Sequence, residues 1–425
     1  MLEKFDLKLL VEPLQTWFLE HKRVLPWREH PTGYYVWISE IMLQQTRVEA
    51  VKPYFDRFIK ELPTIEALAY CPEDKLLKLW EGLGYYNRVR NLKVAANQIL
   101  EEYHGRMPSE YEDLIKLKGI GSYTAGAISS IAFGKPVPAV DGNVLRVISR
   151  VTADDSDIMK QSVRKNMEAH LLALMRNQTG DLKEERKKQT TNADLVSRCN
   201  LVIPQIFNQA LMELGAMVCV PNGAPHCEIC PWKDLCEAKK QNRIGELPVK
   251  KKAKQRKIEQ KTVLIVKDGE QVALHKRPNK GLLAGLYELP NIEGYLSEEE
   301  VTQYLRKEGY EPIRIQKACE AKHIFSHVEW HMKGYVVFLQ AKEYESDIQK
   351  KDVSNKNMLE MTDSKQITIN ETLGLGSVKR EQEKADKNDW IFVDVDETKQ
   401  HYAIPSAFVK YAEYLNLVLG RNAMI

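Results

Sequence analysis

The sequence predicts an α+β multidomain protein: an all-α unit followed by a smaller unit of mixed α and β structure. Three observations carry this. Over residues 5–115 apolar residues recur at three- and four-residue spacing with no clear strand alternation, the period of amphipathic helices. Over residues 245–261 the composition turns basic and includes Pro248, as interdomain linkers do. Beyond it, TVLIVKDGEQVALHKR alternates around Asp268-Gly269, a strong hairpin signal. A chain of 425 residues also exceeds one ordinary core, so two domains are expected.

The helical reading is punctuated at Pro26, Pro31-Thr32-Gly33, Pro63, Pro72 and Met107-Pro108, where helices start or stop. Within YYVWISEIMLQQTR, residues 34–47, Glu40 has Val36, Trp37 and Leu43 at helical neighbour positions, which puts its carboxyl on a largely apolar stripe. Desolvation there disfavours the ionised form and leaves Glu40 able to donate a proton near neutral pH. On position alone, a solvated surface glutamate is the commoner case.

The stretch LKGIGSYTAGAISSIAFGKPVPAVDGNVLR, residues 117–146, organises the unit. Gly119 and Gly121 flank Ile120, so the chain can reverse where side chains would collide, and TAGAI then starts an apolar helix, a helix-hairpin-helix pattern. Unpartnered N–H groups at that helix start would cradle a nucleic-acid phosphate. A GxG turn alone does not exclude an ordinary helix connection. Asp141, beside Gly142 and Asn143, is placed to cap the next helix.

Helical character continues to about residue 175, and RNQTGDLKEERKKQTTNADLVSR then reads as a long exposed loop or insertion. Residues 206–218, IFNQALMELGAMV, are helical again and lead into Cys219, Cys227, Cys230 and Cys236, spaced C-x7-C-x2-C-x5-C. Four thiolates at such spacing suit tetrahedral zinc or a [4Fe-4S] cluster, and spacing leaves the choice open. Seven cysteines, four of them in this loop, fit a metal centre in a reducing compartment better than a disulfide framework. Cys71, Cys199 and Cys319 read as packing residues. In the second unit WHMKGYVVFLQA and WIFVDV read as strands, residues 301–309 and 404–418 as helices, and residues 350–388 as a polar segment assigned no structure.

Sixty-two basic and fifty-nine acidic side chains nearly cancel, for a net charge of +3, so a nucleic-acid surface must come from local clustering such as residues 250–261. The N-terminus has charges spread through it and no uninterrupted apolar segment, and no apolar run approaches membrane-spanning length. An intracellular, cytoplasmic protein with no membrane association is the expectation.

Taken together, WISEIMLQQT, GLGYYNR, LKGIGSYTAGAI, VDGNVLRV, FNQALMELGAMVC and the four-cysteine loop resemble the MutY-type adenine DNA glycosylases of the helix-hairpin-helix superfamily. The resemblance covers nearly all of residues 5–240. In the second unit KGLLAGLYELP and the run His323 to His327 are similar to that family's Nudix-like domain. The implied division is a catalytic domain over 1–240 with its cysteine loop at 219–236, a basic linker over 241–261, and a Nudix-like domain over 262–425. GLYELPNIEGYLSEEEVTQYLRKEG lacks the REUxEE order of a pyrophosphate hydrolase, so a reading domain is implied instead.

The resemblance implies a monofunctional glycosylase that removes adenine mispaired with 8-oxoguanine or guanine in double-stranded DNA, working as a monomer. Glu40 matches the general acid, Asp141 the carboxylate that stabilises the sugar cation, and Asn143 the residue orienting water or Asp141 itself. That pairing is chemically apt, because the base must be protonated to leave and positive charge develops on the sugar. Tyr123 stands where the backbone-cutting branch carries a lysine, and a phenol cannot form the imine. Arg23, Leu25, Trp27 and Arg28 match the adenine pocket. Leu43, Gln45, Thr46 and Tyr85 match residues that enter the duplex or meet the opposite base, Gly119 and Gly121 the phosphate-gripping hairpin, and Phe325, Ser326 and His327 the loop reading 8-oxoguanine. The four cysteines match ligands of a [4Fe-4S] cluster, with a departure: the family's spacing begins C-x6-C, whereas here it is C-x7-C. Rival readings are a pyrimidine-lesion glycosylase with lyase action, a non-catalytic DNA-binding protein and a nucleotide-pool hydrolase.

Overall fold

The computed structural model describes residues 5–178, 201–250, 255–340 and 389–415. The two segments expected to be irregular, 176–198 and 350–388, lie almost wholly or wholly outside the described residues, as do residues 251–254 of the basic run.

The described residues of 5–240 are mainly helical and form two lobes around separate cores. The first gathers Val36, Trp37, Ile41, Phe58, Trp80, Leu92 and Ile128. The second joins Leu10, Leu14 and Phe18 from the start of the chain to Val144, Ile148, Phe207, Leu211 and Trp232. The N-terminal helix Val11–His21 therefore completes the later lobe, packing on the helix Pro204–Met217. Gln15 fastens that return, since its amide donates to Leu201 O and accepts from Ile203 N, each at 2.8 Å. Met212 packs against both cores, which marks the seam where the candidate site lies.

Some helix starts follow local side-chain chemistry. Thr32 accepts from Tyr35 N to cap Gly33–Leu43, and Thr64 accepts from Ala67 N to cap Ile65–Tyr70, each satisfying a donor with no intrahelical partner. The helix Ser122–Ala127 runs into a wider π turn over Ile128–Ala132, a feature the apolar periodicity did not indicate.

The strands of the second unit are β1 (Lys257–Asp268), β2 (Gln271–Lys276), β3 (Tyr287–Glu288), β4 (Asn291–Glu293), β5 (Pro312–Lys317), β6 (Ala321–Ile324), β7 (Val328–Leu339) and β8 (Trp390–Asp394). They form a mixed sheet in the order β3-β2-β1-β7-β5, with β4 on β1, β6 on β7 and β8 on β2. β1 and β7 run parallel from Lys257 opposite Val328 to Lys267 opposite Phe338. One face of β1, Val263 and Ile265, packs on Trp330, Phe408 and Tyr411. The other, Leu264 and Val266, packs on Val301 and Leu305 of the helix Glu298–Lys307. Burial on both faces explains the unbroken VLIV run.

Three expectations are corrected. β1 begins at Lys257, inside the stretch read as linker, because its polar first half pairs along β7. Residues 404–415 form only short 3-10 and α turns, over Ser406–Phe408, Val409–Ala412 and Glu413–Leu415, rather than one helix. The short strands β3 to β6 were not anticipated, being two to six residues long and without clear alternation.

Candidate active site and nucleic-acid interface

Glu40 and Tyr123 come from the first lobe, Asp141 and Glu213 from the second. Glu40 is 6 % exposed on a helix buried almost throughout. Burial pushes its carboxyl up to about 7; the Tyr123 hydrogen bond opposes this, the nearby Asp141 charge adds to it, and Arg28 lowers it. The Tyr123 hydroxyl donates to Glu40 Oε2 and also lies 3.1 Å from Met212 Sδ. Burial and the two carboxylates hold the phenol well above its ordinary value, so it stays a donor.

Asp141 caps the helix Gly142–Val151. Its Oδ1 accepts from Val144 N at 2.8 Å and its Oδ2 from Asn143 Nδ2 at 2.7 Å. Burial raises this carboxyl too, but those donors oppose it. Glu40 has one hydroxyl donor where Asp141 has backbone and amide donors, so of the two it is Asp141 that the hydrogen bonding favours as the anion. Asn143 is held in turn, as Arg146 Nη2 donates to its Oδ1 at 2.8 Å and to Gly215 O at 2.9 Å. A side chain at Gly215 would come within 2.7 Å of Asn143 Cβ, so glycine allows the Pro204–Met217 helix to approach.

Arg23 and Arg28 converge on one residue the sequence reading missed. Glu213, 1 % exposed, accepts from Arg23 Nε and Nη2 at 2.8 Å and from Arg28 Nη2 at 2.9 Å. Burial alone would raise its carboxyl, yet these donors hold it at about 2. The available signal was the one used for Glu40, a lone carboxylate in an apolar helical run. Leu25 and Trp27 are buried in the first core, Trp27 edge-on to Phe55 at 5.3 Å. Glu213→Ala would strand two partly buried guanidiniums, and we expect a loss of roughly 3–5 kcal/mol, measured by denaturant unfolding; a loss under about 1 kcal/mol, as for surface pairs, would show that the cluster is solvated.

The loop after Glu40's helix and the turn carrying Tyr85 are clamped together. Arg88 Nη1 donates to Ile41 O and Gln44 O, both at 2.7 Å, and its Nη2 to Leu83 O and Gly84 O at 2.9 and 3.1 Å. Gln45 and Tyr85 take left-handed backbone, φ 57° and 47°, a conformation that costs a non-glycine residue on the order of 1 kcal/mol and is held by its surroundings. Both are exposed, and Leu43 is half-buried. Thr46 does not join them at the surface, being buried with its hydroxyl turned back to Gln44 O at 3.3 Å.

In the hairpin, Gly119 has φ 78° and an added Cβ would meet Asn91 Cβ at 2.7 Å. The steric expectation for Gly121 is corrected: its φ of −96° is ordinary and no atom lies within 4 Å of an added Cβ. Phe325, Ser326 and His327 form the tight turn between β6 and β7, closed by Phe325 N donating to Val328 O at 2.8 Å. Phe325 turns inward, edge-on to Trp330 at 4.9 Å. Ser326 and His327 are exposed, and Ser326 Oγ lies 3.3 Å from the Tyr85 hydroxyl.

Cys219, Cys227, Cys230 and Cys236 are free thiols lining one pocket with Arg150, Lys233 and Lys239. Arg150 Nη1 donates to Cys219 Sγ at 3.3 Å. Among the described residues no three His, Cys, Asp or Glu side chains lie close enough together to hold a metal ion. The donor set, four thiols ringed by cations, nevertheless fits an anionic four-thiolate centre in kind. Among the described residues no helix is long and apolar enough to cross a membrane.

Two family models match the chain: HhH-GPD superfamily base excision DNA repair protein over residues 38–171 and NUDIX domain over 262–414. The adenine DNA glycosylase of Mus musculus is 34% identical over 384 residues, covering 77% of this chain and 70% of its own length. That of Buchnera aphidicola subsp. Baizongia pistaciae is 33% identical over 310 residues, covering 72% and 79%. A solved thermostable thymine-DNA glycosylase aligns at 27% identity and a TM-score of 0.41 over 55% of this chain and 96% of its own. With a helix-hairpin-helix unit, a Nudix-like unit and relatives matched along most of their length, the chain is a DNA glycosylase of base excision repair and belongs to the MutY-type adenine DNA glycosylase family.

Proposed function

We propose that the chain is a monofunctional adenine DNA glycosylase that excises adenine opposite 8-oxoguanine or guanine in duplex DNA, with residues 1–240 carrying the chemistry and the sheet unit reading the opposite strand. The observation that carries it is the buried Glu40, paired with the Tyr123 hydroxyl and facing Asp141 across the seam between the lobes.

Adenine leaves a sugar only as a neutral base, so a ring nitrogen must gain a proton as the glycosidic bond breaks. Glu40, protonated near neutral pH because it is buried, supplies that proton. Positive charge then spreads over the sugar carbon and ring oxygen, and the Asp141 carboxylate, fixed by Val144 N and Asn143, stabilises it. Water adds at the sugar carbon, its proton returns to a carboxylate, and an abasic site remains. Tyr123, a phenol hydrogen-bonded to Glu40, orients the acid and offers no amine, so the backbone stays intact. Trp27 and Leu25 supply apolar walls and Arg28 and Glu213 fixed polar groups for a flipped base. Gln45 and Tyr85 enter the helix at the mispair, and Ser326 and His327 meet the opposite base. Cys219, Cys227, Cys230 and Cys236 would hold a [4Fe-4S] cluster. Such a cluster, when bound, would fasten the loop and supply electron-transfer chemistry that base hydrolysis does not need.

The test is single-turnover adenine release by the purified chain from duplexes with one A:8-oxoguanine, A:G or A:T pair. Release is expected from the first two, fastest from the first, leaving an alkali-labile site with no borohydride-trapped adduct. The same preparation should contain iron and acid-labile sulfide near four each per chain, as a [4Fe-4S] stoichiometry requires. Binding without release would support the non-catalytic reading, a high-yield adduct a lyase, and one zinc per chain a structural zinc site.

A further inference from the structure

The two units meet along the helix Glu73–Leu79, the turn after it and the start of the helix Asn87–Tyr103. The centre of the contact is apolar: Leu286 and Ala403 of the second unit are buried in the same core as Trp80 and Leu83 of the first. Around it, charged side chains of the helical unit grip backbone of the sheet unit. Lys78 Nζ donates to Thr398 O and Tyr402 O, both at 3.0 Å, and pairs with Glu81 at 2.7 Å. Glu81 Oε1 accepts from Ile404 N at 2.8 Å. Arg90 Nη2 donates to Ala284 O at 2.6 Å while its Nε pairs with Glu73 at 2.7 Å. A Cβ at Gly285, φ 63°, would lie 2.8 Å from Arg90 Nη2, so the loop comes closer to Arg90 than a side chain there allows.

The nature of these partners matters. An exposed ion pair such as Lys276 with Asp74, 3.0 Å apart, tolerates sliding because both side chains are flexible. Backbone carbonyls and N–H groups are fixed by the fold, so a side chain that binds them defines the position of one unit against the other. Close by, the units face each other across a cavity of about 540 Å³ between Tyr85 and the Phe325–His327 turn, where Tyr85 and Ser326 come within 3.3 Å.

We infer that Lys78, Glu81 and Arg90 are positioning residues that hold the Phe325–His327 turn in register with Tyr85, and so set the preference for 8-oxoguanine over guanine opposite the adenine. This rests on the opposite-strand reading proposed above. They touch neither the adenine nor the sugar, and they act by fixing the distance between two surfaces that must engage one base from both sides. Removing the grip lets the turn drift, and a misplacement of about 1 Å costs a positioned site up to roughly a hundredfold.

The experiment is single-turnover excision by the full chain from A:8-oxoguanine and A:G duplexes, comparing wild type with Lys78→Met and Arg90→Lys. The ratio of the two rates is expected to fall about tenfold in Lys78→Met, through the 8-oxoguanine substrate, with the A:G rate within about twofold of wild type. Arg90→Lys keeps the charge but loses the fork that reaches Glu73 and Ala284 at once, and should lower the ratio about threefold; it serves should Lys78→Met not fold. Partial unfolding lowers both rates together and leaves the ratio alone, so an unchanged ratio in the soluble variants overturns the inference. A wild-type protein with no preference would instead sink the opposite-strand reading itself.

Discussion

Glu40→Gln is expected to lower single-turnover adenine release by about 10³-fold or more, the upper range for loss of a general acid, while duplex binding is kept. Gln can still accept from Tyr123, so the geometry survives and only the proton is lost. The wild-type rate carries the same signature in its pH dependence. With Glu40 at about 7, release should be level on the acid side of neutrality, bend down near pH 7 and fall roughly tenfold per pH unit above it as the acid ionises. Further to the acid side it should fall as Asp141, itself raised by burial, takes up a proton.

Stability must move in a linked direction. Glu40 sits at about 7 in the folded chain against an ordinary 4.5, so the native state binds this proton more tightly than the unfolded chain. The stability from that difference is fully present below the ordinary value and is lost as pH rises through 7, on the order of 3 kcal/mol in all. Glu40→Gln has no such loss. Its Tm should therefore exceed that of wild type at pH 8, with the margin closing near pH 5. A variant that keeps release within about tenfold, or a wild-type rate that climbs through pH 7, would remove Glu40 from the acid role.

The parts of this site that were legible in the sequence depend on near neighbours in the chain. Glu40 among Val36, Trp37 and Leu43 stood on an apolar stripe, although position alone favoured a solvated glutamate, and Asp141 two residues before Asn143 stood where a cap belongs; the structure shows Glu40 buried and Asp141 capping. Contacts made at long range left no such trace. Glu213 meets Arg23 across 190 residues and Arg28 across 185, and nothing periodic connects them. The same holds for Lys78 reaching Thr398 and Tyr402, and for an N-terminal helix that completes a core built mainly from residues 140–232. In the sheet unit, long β1 and β7 showed themselves as strand-forming stretches, whereas β3 and β4 span only two and three residues and exist because a neighbouring strand offers them partners. At Gly121 the reading erred the other way: two glycines flanking Ile120 suggested steric need at both, and the structure leaves open space at the second.

Asp141→Asn should cost release about as much as the loss of the acid, but for two separable reasons. The first is charge. The sugar cation forms beside this side chain in a buried site where one fixed charge is worth several kcal/mol, and a neutral amide returns only a fraction of that, so a fall of about 10³-fold is expected. The second is hydrogen bonding. Both carboxylate oxygens are acceptors, Oδ1 from Val144 N and Oδ2 from Asn143 Nδ2, and an amide has only one oxygen. Either the helix cap or the Asn143 contact must then place donor against donor, at a cost of about 1 kcal/mol or more. Asn143→Ala separates the two, because it removes the Oδ2 donor and the link to Arg146 while leaving the charge. A variant acting through geometry alone would match Asp141→Asn in rate, whereas a charge effect leaves Asn143→Ala far more active. Equal rates for the two variants, at equal folded fractions, would move Asp141 from stabilising the cation to holding the turn.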